Sequence, residues 1–175
     1  DPEVNALYES SSGVLWIGTR DGLILYHDGQ FRRFGREVGF PSSEIKTIIS
    51  GAEGSLWIGT RKGLVLVEDE AAFAVKASLV YGELDILALA WSQKGELWVG
   101  ARTGLFRYFD GKLDTVFEGE DKIGRSVTSL LWDDGVLWVG TDGGGLHRLE
   151  NDGWVAYSSK SHFGTDSVRS LYQDS

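Results

Sequence analysis

The sequence contains neither cysteine nor methionine. The lack of thiols excludes disulfides and thiolate metal sites, and it points to no particular redox compartment. The lack of methionine extends to position 1, which predicts a chain trimmed or excised from something longer. Proline occurs only twice. No apolar run approaches the roughly 18 residues of a membrane helix, so no membrane span is expected within this segment. The longest apolar run, Ile86 to Trp91, is of strand length. No signal-peptide pattern opens the chain. Cations are scarce as well, with 17 Lys and Arg against 26 Asp and Glu and a net charge of −9. A nucleic-acid partner calls for a basic face, so none is expected. The negative charge favours solubility and repels anionic surfaces.

What is abundant is glycine, at 24 of 175 residues, set among aromatic and β-branched residues. That mixture suits many short strands joined by tight turns. The turns recur on a fixed period. Leu-Trp-Ile/Val-Gly occurs four times, with Trp16, Trp57, Trp98 and Trp138 spaced 41, 41 and 40 residues apart. A Gly-Leu pair follows each, at Gly22, Gly63, Gly104 and Gly145, spaced 41 throughout. An upstream apolar pair keeps the same register: Val4/Leu7, Ile45/Ile48, Ile86/Leu89, Val127/Leu130 and Val168/Leu171. The fourth copy loses a residue at Asp133-Asp134-Gly135 and regains one in Asp142-Gly143-Gly144-Gly145. Both changes fall in turns, where they cost little.

The first copy reads as four strands: Val4 to Glu9, Val14 to Thr19, Leu23 to His27 and Gln30 to Phe34. Asp28-Gly29 supplies a tight third turn, repeated at Asp110-Gly111 and Asp152-Gly153. The second copy has Asp69-Glu70-Ala71-Ala72 there, which predicts a looser turn. Four hairpin-linked strands in about 40 residues predict an all-β chain of β-propeller blades. The expected boundaries are 3–43, 44–84, 85–125 and 126–166, with 167–174 as the first strand of a fifth repeat.

The run from Ser11 to Leu23, repeated from Ala52 to Leu64, resembles the two-component regulator propeller repeat. The resemblance extends blade by blade over the whole chain. Ala101, where threonine is usual, and the Gly-rich turn of the fourth copy depart from it. It implies a sensor region of a bacterial hybrid histidine kinase or related receptor, placed in the periplasm or elsewhere outside the cytoplasm. Such families close rings of about seven blades, more than this chain carries.

The four tryptophans suit packing between neighbouring blades, and Gly18, Gly59, Gly100 and Gly140 suit a close backbone approach. Arg20, Arg61 and Arg102 share one loop position, with Arg125 in a loop expected on the same face. An arc of guanidiniums could hold a carboxylate, a phosphate or an acidic partner segment. The alternative is that each pairs with a nearby carboxylate or stacks on an aromatic ring. Asp142 takes this position in the fourth copy and breaks the symmetry. His27, His147 and His162 occupy unrelated positions without metal-ligand spacing, and are expected at the surface. Trp91 and Trp132 either line a pocket or fill the core.

No cofactor and no catalytic residue is expected. The chain is read as a non-catalytic module that binds a small-molecule or acidic ligand. A propeller lyase and a structural fragment that assembles by oligomerisation are the alternatives. Exposed blade faces at both ends predict self-association, most simply two chains in an eight-blade ring, with the surplus strand displaced or swapped.

Overall fold

The computed structural model describes residues 3–69, 75–118, 126–150, 153–161 and 163–174. Among them are sixteen strands and three 3-10 turns of three residues each, at 36–38, 52–54 and 159–161. Sheet I holds β1 (Val4–Glu9), β2 (Leu15–Thr19), β3 (Gly22–His27) and β4 (Gln30–Phe34). Sheet II holds β5 (Ile45–Ser50), β6 (Leu56–Thr60), β7 (Gly63–Asp69) and β8 (Val75–Gly82). Sheet III holds β9 (Ile86–Trp91), β10 (Leu97–Ala101), β11 (Gly104–Phe109) and β12 (Lys112–Glu118). Sheet IV holds β13 (Ser126–Asp133), β14 (Val136–Asp142), β15 (Leu146–Glu150) and β16 (Gly153–Tyr157). Each sheet is antiparallel, with its strands in sequence order. The fold is all-β, built from four-stranded β-propeller blades.

The turn residues explain the hairpins. Asp28 and Gly29 have φ of 48° and 76°, Asp110 and Gly111 50° and 76°, and Asp134 and Gly135 42° and 85°. Two successive positive φ values match the twist of paired strands, and Asp-Gly tolerates them. The looser turn expected after Asp69 lies largely outside the described residues, as does Asp152. The threonine of the repeat has a similarly local task. Thr60 is fully buried. Its hydroxyl donates to the Gly63 carbonyl at 2.9 Å and accepts from Lys62 N–H at 3.1 Å. Thr19 and Thr141 pin their turns in the same way.

The chain divides into two compact units, Asp1–Ile86 and Leu87–Ser175. In the first, Trp16, Leu25 and Phe34 of sheet I form one core with Ile58, Val65, Val67 and Ala77 of sheet II. Ile45 sits on Gly18 at the seam: a Cβ on the glycine would lie 2.7 Å from the Ile45 Cγ2. In the second unit, Trp98 and Leu105 of sheet III pack with Val127, Leu137 and Val139 of sheet IV. Val127 sits on Gly100 in the same manner.

A bulge recurs in the first strand of sheets I, II and IV. Asn5, Lys46 and Thr128 are the extra residues there, each lying between two register pairs. A bulge re-aims the side chain at its centre. Asn5 Nδ2 consequently donates to the Ile45 carbonyl of the next sheet at 2.9 Å.

Two expectations change. Segment 167–174 forms no ladder among the described residues. Ser167 makes an isolated bridge with Asp142, and Val168 N–H donates to the Thr141 carbonyl at 2.9 Å. The segment thus meets sheet IV through single contacts rather than a ladder. His147, expected at the surface, is 3% exposed. It lies in β15 opposite Val139, on the face that packs inward. His162 lies outside the described residues.

Candidate functional site

A cavity of about 510 Å³ opens in the first unit, lined by Arg20, Asp21, Arg36, Ser42, Ser43, Glu44, Arg61 and Lys62. Three loops build it. Arg20-Asp21 and Arg61-Lys62 are the β2–β3 and β6–β7 turns, pinned by Thr19 and Thr60. The third is the loop from sheet I to sheet II. Phe40, 3% exposed, anchors that loop in the core. Gly39, at φ 108°, passes so close to β8 that a Cβ would meet the Ala77 carbonyl oxygen at 2.3 Å. The Glu37 carboxylate accepts Gly35 N–H at 2.6 Å, closing the turn that carries Arg36.

Glu44 organises the cavity. Its carboxylate accepts from Lys46 Nζ at 2.5 Å and faces Arg61 NH1 at 3.6 Å and Arg20 Nε at 3.9 Å. The Lys46 hydrogen bond holds the Glu44 carboxyl below its ordinary range, against the opposing effect of its partial burial. Its own N–H is held by Ser42 Oγ at 3.1 Å, and its carbonyl accepts Arg61 N–H at 3.2 Å. Asp21 is engaged elsewhere: Arg33 donates to its carbonyl at 2.7 Å and lies 3.5 Å from its carboxylate. Among the described residues, Arg36 and Lys62 have no ion-pair partner. Four cationic side chains therefore surround a space whose two carboxylates are both already bound.

Of the arginines singled out from the sequence, the structure brings together Arg20 and Arg61. Each also has a carboxylate partner, Arg20 with Glu3 at 3.1 Å and Arg61 with Glu44. Arg102 belongs to the second unit, where its carbonyl lies 3.5 Å from Ser126 Oγ. Arg125 lies outside the described residues. In the fourth copy, Asp142 accepts a hydrogen bond from Ser167 Oγ. Sequence reasoning missed Arg36, Lys62 and Glu44. One signal for Glu44 was available: Glu3/Arg20 and Glu44/Arg61 share a 17-residue spacing.

The tryptophans differ in burial. Trp16, Trp57 and Trp98 are 4%, 9% and 5% exposed. Trp138 is half-buried, stacked on Tyr157 at 6.3 Å with the Arg148 guanidinium 5.5 Å from its ring centre. Trp132 packs against the Trp98 cluster, as core. His147 Nε2 lies 3.0 Å from the Gly144 carbonyl, and burial lowers its pKa. No group of three or more metal-ligating side chains exists among the described residues. No helix there is long and apolar enough to cross a membrane.

The family model described as two component regulator propeller matches residues 1–21. The Leu-Trp-Ile-Gly-Thr run within those residues recurs at 56–60. No curated protein matches the sequence. Among solved structures, the extracellular domain of BT4673 from B. thetaiotaomicron, a proposed one component system, is similar with a TM-score of 0.83 and 22% identity. The match covers 98% of this chain and 25% of that one. The extracellular domain of BT3049 from the same organism, a proposed hybrid two component system, matches with a TM-score of 0.81 and 20% identity. That match covers 98% of this chain and 24% of that one. Virginiamycin B lyase from Staphylococcus aureus matches with a TM-score of 0.70 and 15% identity, over 89% of this chain and 55% of that one. This chain thus spans about a quarter of the length of the two sensor-type domains.

Proposed function

We propose that the chain is a non-catalytic binding module from the extracytoplasmic region of a bacterial signal receptor, and that the first-unit cavity takes an anionic group of its ligand. The cavity carries this reading. Arg20, Arg36, Arg61 and Lys62 converge on it in a chain of net charge −9. Guanidiniums present paired donors that suit carboxylate, phosphate and sulfate oxygens. Glu44 acts as an internal counterion that keeps the cations oriented. An incoming anion competes with it for Arg20 and Arg61, while Arg36 and Lys62 are already available. The repeat type and the likeness to extracellular sensor domains support the receptor setting.

The propeller lyase is the competing reading. Acid–base chemistry needs a titratable group within reach of a substrate. The cavity lining contains no histidine, and both of its carboxylates are held by cations.

Titration calorimetry with sulfate, citrate and succinate at low ionic strength tests the proposal. Binding that weakens as salt rises is expected. Arg61→Glu should lower affinity on the order of tenfold and flatten the salt dependence, since a charge-assisted contact becomes a repulsion. An unchanged affinity in Arg61→Glu and in Arg20→Glu would sink the anion site.

A further inference from the structure

The cations of the first-unit cavity fall into two pairs. Arg20 and Arg61 flank Glu44: Arg61 NH1 faces one of its oxygens at 3.6 Å, and Arg20 Nε the other at 3.9 Å. The protein's own carboxylate thus shows that this pair accommodates such a group. Arg36 and Lys62 line the same cavity, are exposed, and have no ion-pair partner among the described residues. The other carboxylates of these loops are engaged. Glu3 pairs with Arg20 at 3.1 Å, and Asp21 lies 3.5 Å from Arg33. Glu37, next to Arg36 in the chain, accepts Gly35 N–H at 2.6 Å.

The two pairs stand at different places along the end of sheet II, whose strand order is β5-β6-β7-β8. Glu44 immediately precedes β5, and its carbonyl accepts Arg61 N–H at 3.2 Å. The loop of Arg36 instead runs beside β8, where Gly39 meets the Ala77 carbonyl and Val38 packs on the cluster that includes Ala77. Lys62 lies between them on the β6–β7 turn, and the next residue, Gly63, abuts the Tyr81 carbonyl and the Leu79 side chain of β8. Neighbouring strands lie about 4.8 Å apart. The Arg20–Arg61 pair and the Arg36–Lys62 pair are therefore separated by one to two strand spacings, about 5–10 Å.

We infer that the cavity takes a small molecule with two anionic groups on a short chain, in its simplest form a dicarboxylate. This rests on the anion-binding reading of the cavity and specifies its ligand. One carboxylate competes with Glu44 for Arg20 and Arg61. The other binds Arg36 and Lys62, which hold no carboxylate of the protein. Glutarate suits the span, with carboxyl carbons about 5 Å apart in its extended chain. A monocarboxylate or a sulfate reaches only one pair.

Calorimetry on the whole 175-residue chain, at about pH 7.5 and low salt, compares glutarate, butyrate and sulfate. Glutarate should bind about tenfold tighter than either, because its second charge-assisted contact forms within the same molecule. Arg36→Gln with Lys62→Gln should bring the glutarate-to-butyrate ratio to about one, and Arg20→Gln with Arg61→Gln should do the same from the other side. All four side chains are exposed, so circular dichroism should be unchanged. Equal affinities for glutarate and butyrate would overturn the inference and leave the anion site standing. Sulfate binding as tight as glutarate, or a ratio that survives in either double variant, would do likewise. Absence of binding by all three would remove the anion site itself, and this inference with it.

Discussion

A Cβ placed on Gly100 would stand 2.5 Å from the Cγ1 of Val127, which is fully buried. The side chain of the following sheet occupies the space a larger residue would need. Gly100→Ala should therefore cost about 1–3 kcal/mol, through backbone shift or strain at the seam. A lowered urea midpoint with an unchanged slope is the expected readout. A stabilised variant would mean that the seam has slack.

The repeated tryptophans should not be energetically equal. Trp57→Ala, at a buried site, should cost about 3–5 kcal/mol. Trp138→Ala, at a half-open one, should cost less than half as much in dilute solution. Paired denaturant titrations at one low protein concentration would compare them. A loss below about 1 kcal/mol at Trp57 would contradict its burial.

Removing the internal counterion should expose the character of the cavity. Glu44→Gln leaves Arg20, Arg61 and Lys46 without their shared carboxylate. Sulfate or citrate affinity should rise several-fold, because one competing negative charge is gone. Calorimetry beside the parent chain measures it, and weaker binding would mean that Glu44 positions the arginines more than it competes with the ligand.

Stability should fall in two acid steps. Burial lowers the pKa of His147 from 6.5, so the ring is neutral when folded. The unfolded chain takes up the proton first, and stability declines as pH drops below about 6.5, until the folded ring titrates too. Glu44 sits below its ordinary 4.5, held chiefly by Lys46. Its contribution is present above that value and is lost as pH falls through the lowered one. Urea midpoints at about pH 7.5, 5.5 and 4 should show both steps. His147→Gln should remove the upper step and Glu44→Gln should shrink the lower.

The period, the strands and the turns were legible because they are encoded locally. Asp28-Gly29 and Asp110-Gly111 specify their hairpins within two residues, and Gly18 with Ile45 recurs as Gly100 with Val127. The cavity was half legible. Arg20 and Arg61 stood out by position and Glu44 repeats Glu3 at the 41-residue period, but Arg36 reaches it through a loop whose path depends on Phe40 entering the core. His147 was misjudged for a similar reason. Its strand alternates too weakly in the sequence to show that the histidine shares a face with the core, and its Nε2 finds the Gly144 carbonyl only once the turn has closed. The last segment carries a strand's residues, yet among the described residues it makes only an isolated bridge with Asp142.

Within each sheet, every ladder joins strands adjacent in the sequence, the widest pairing in sheet I being Val4 with Thr19. Such hairpins close on the order of microseconds, with little loop entropy to overcome. The seams are different, since Ile45 reaches Gly18 only after two sheets exist. Folding should thus run as fast local zipping followed by slower docking of preformed sheets. Substitutions in the Asp-Gly turns would then act mainly on the early phase, and substitutions at Gly18 or Gly100 on the late one.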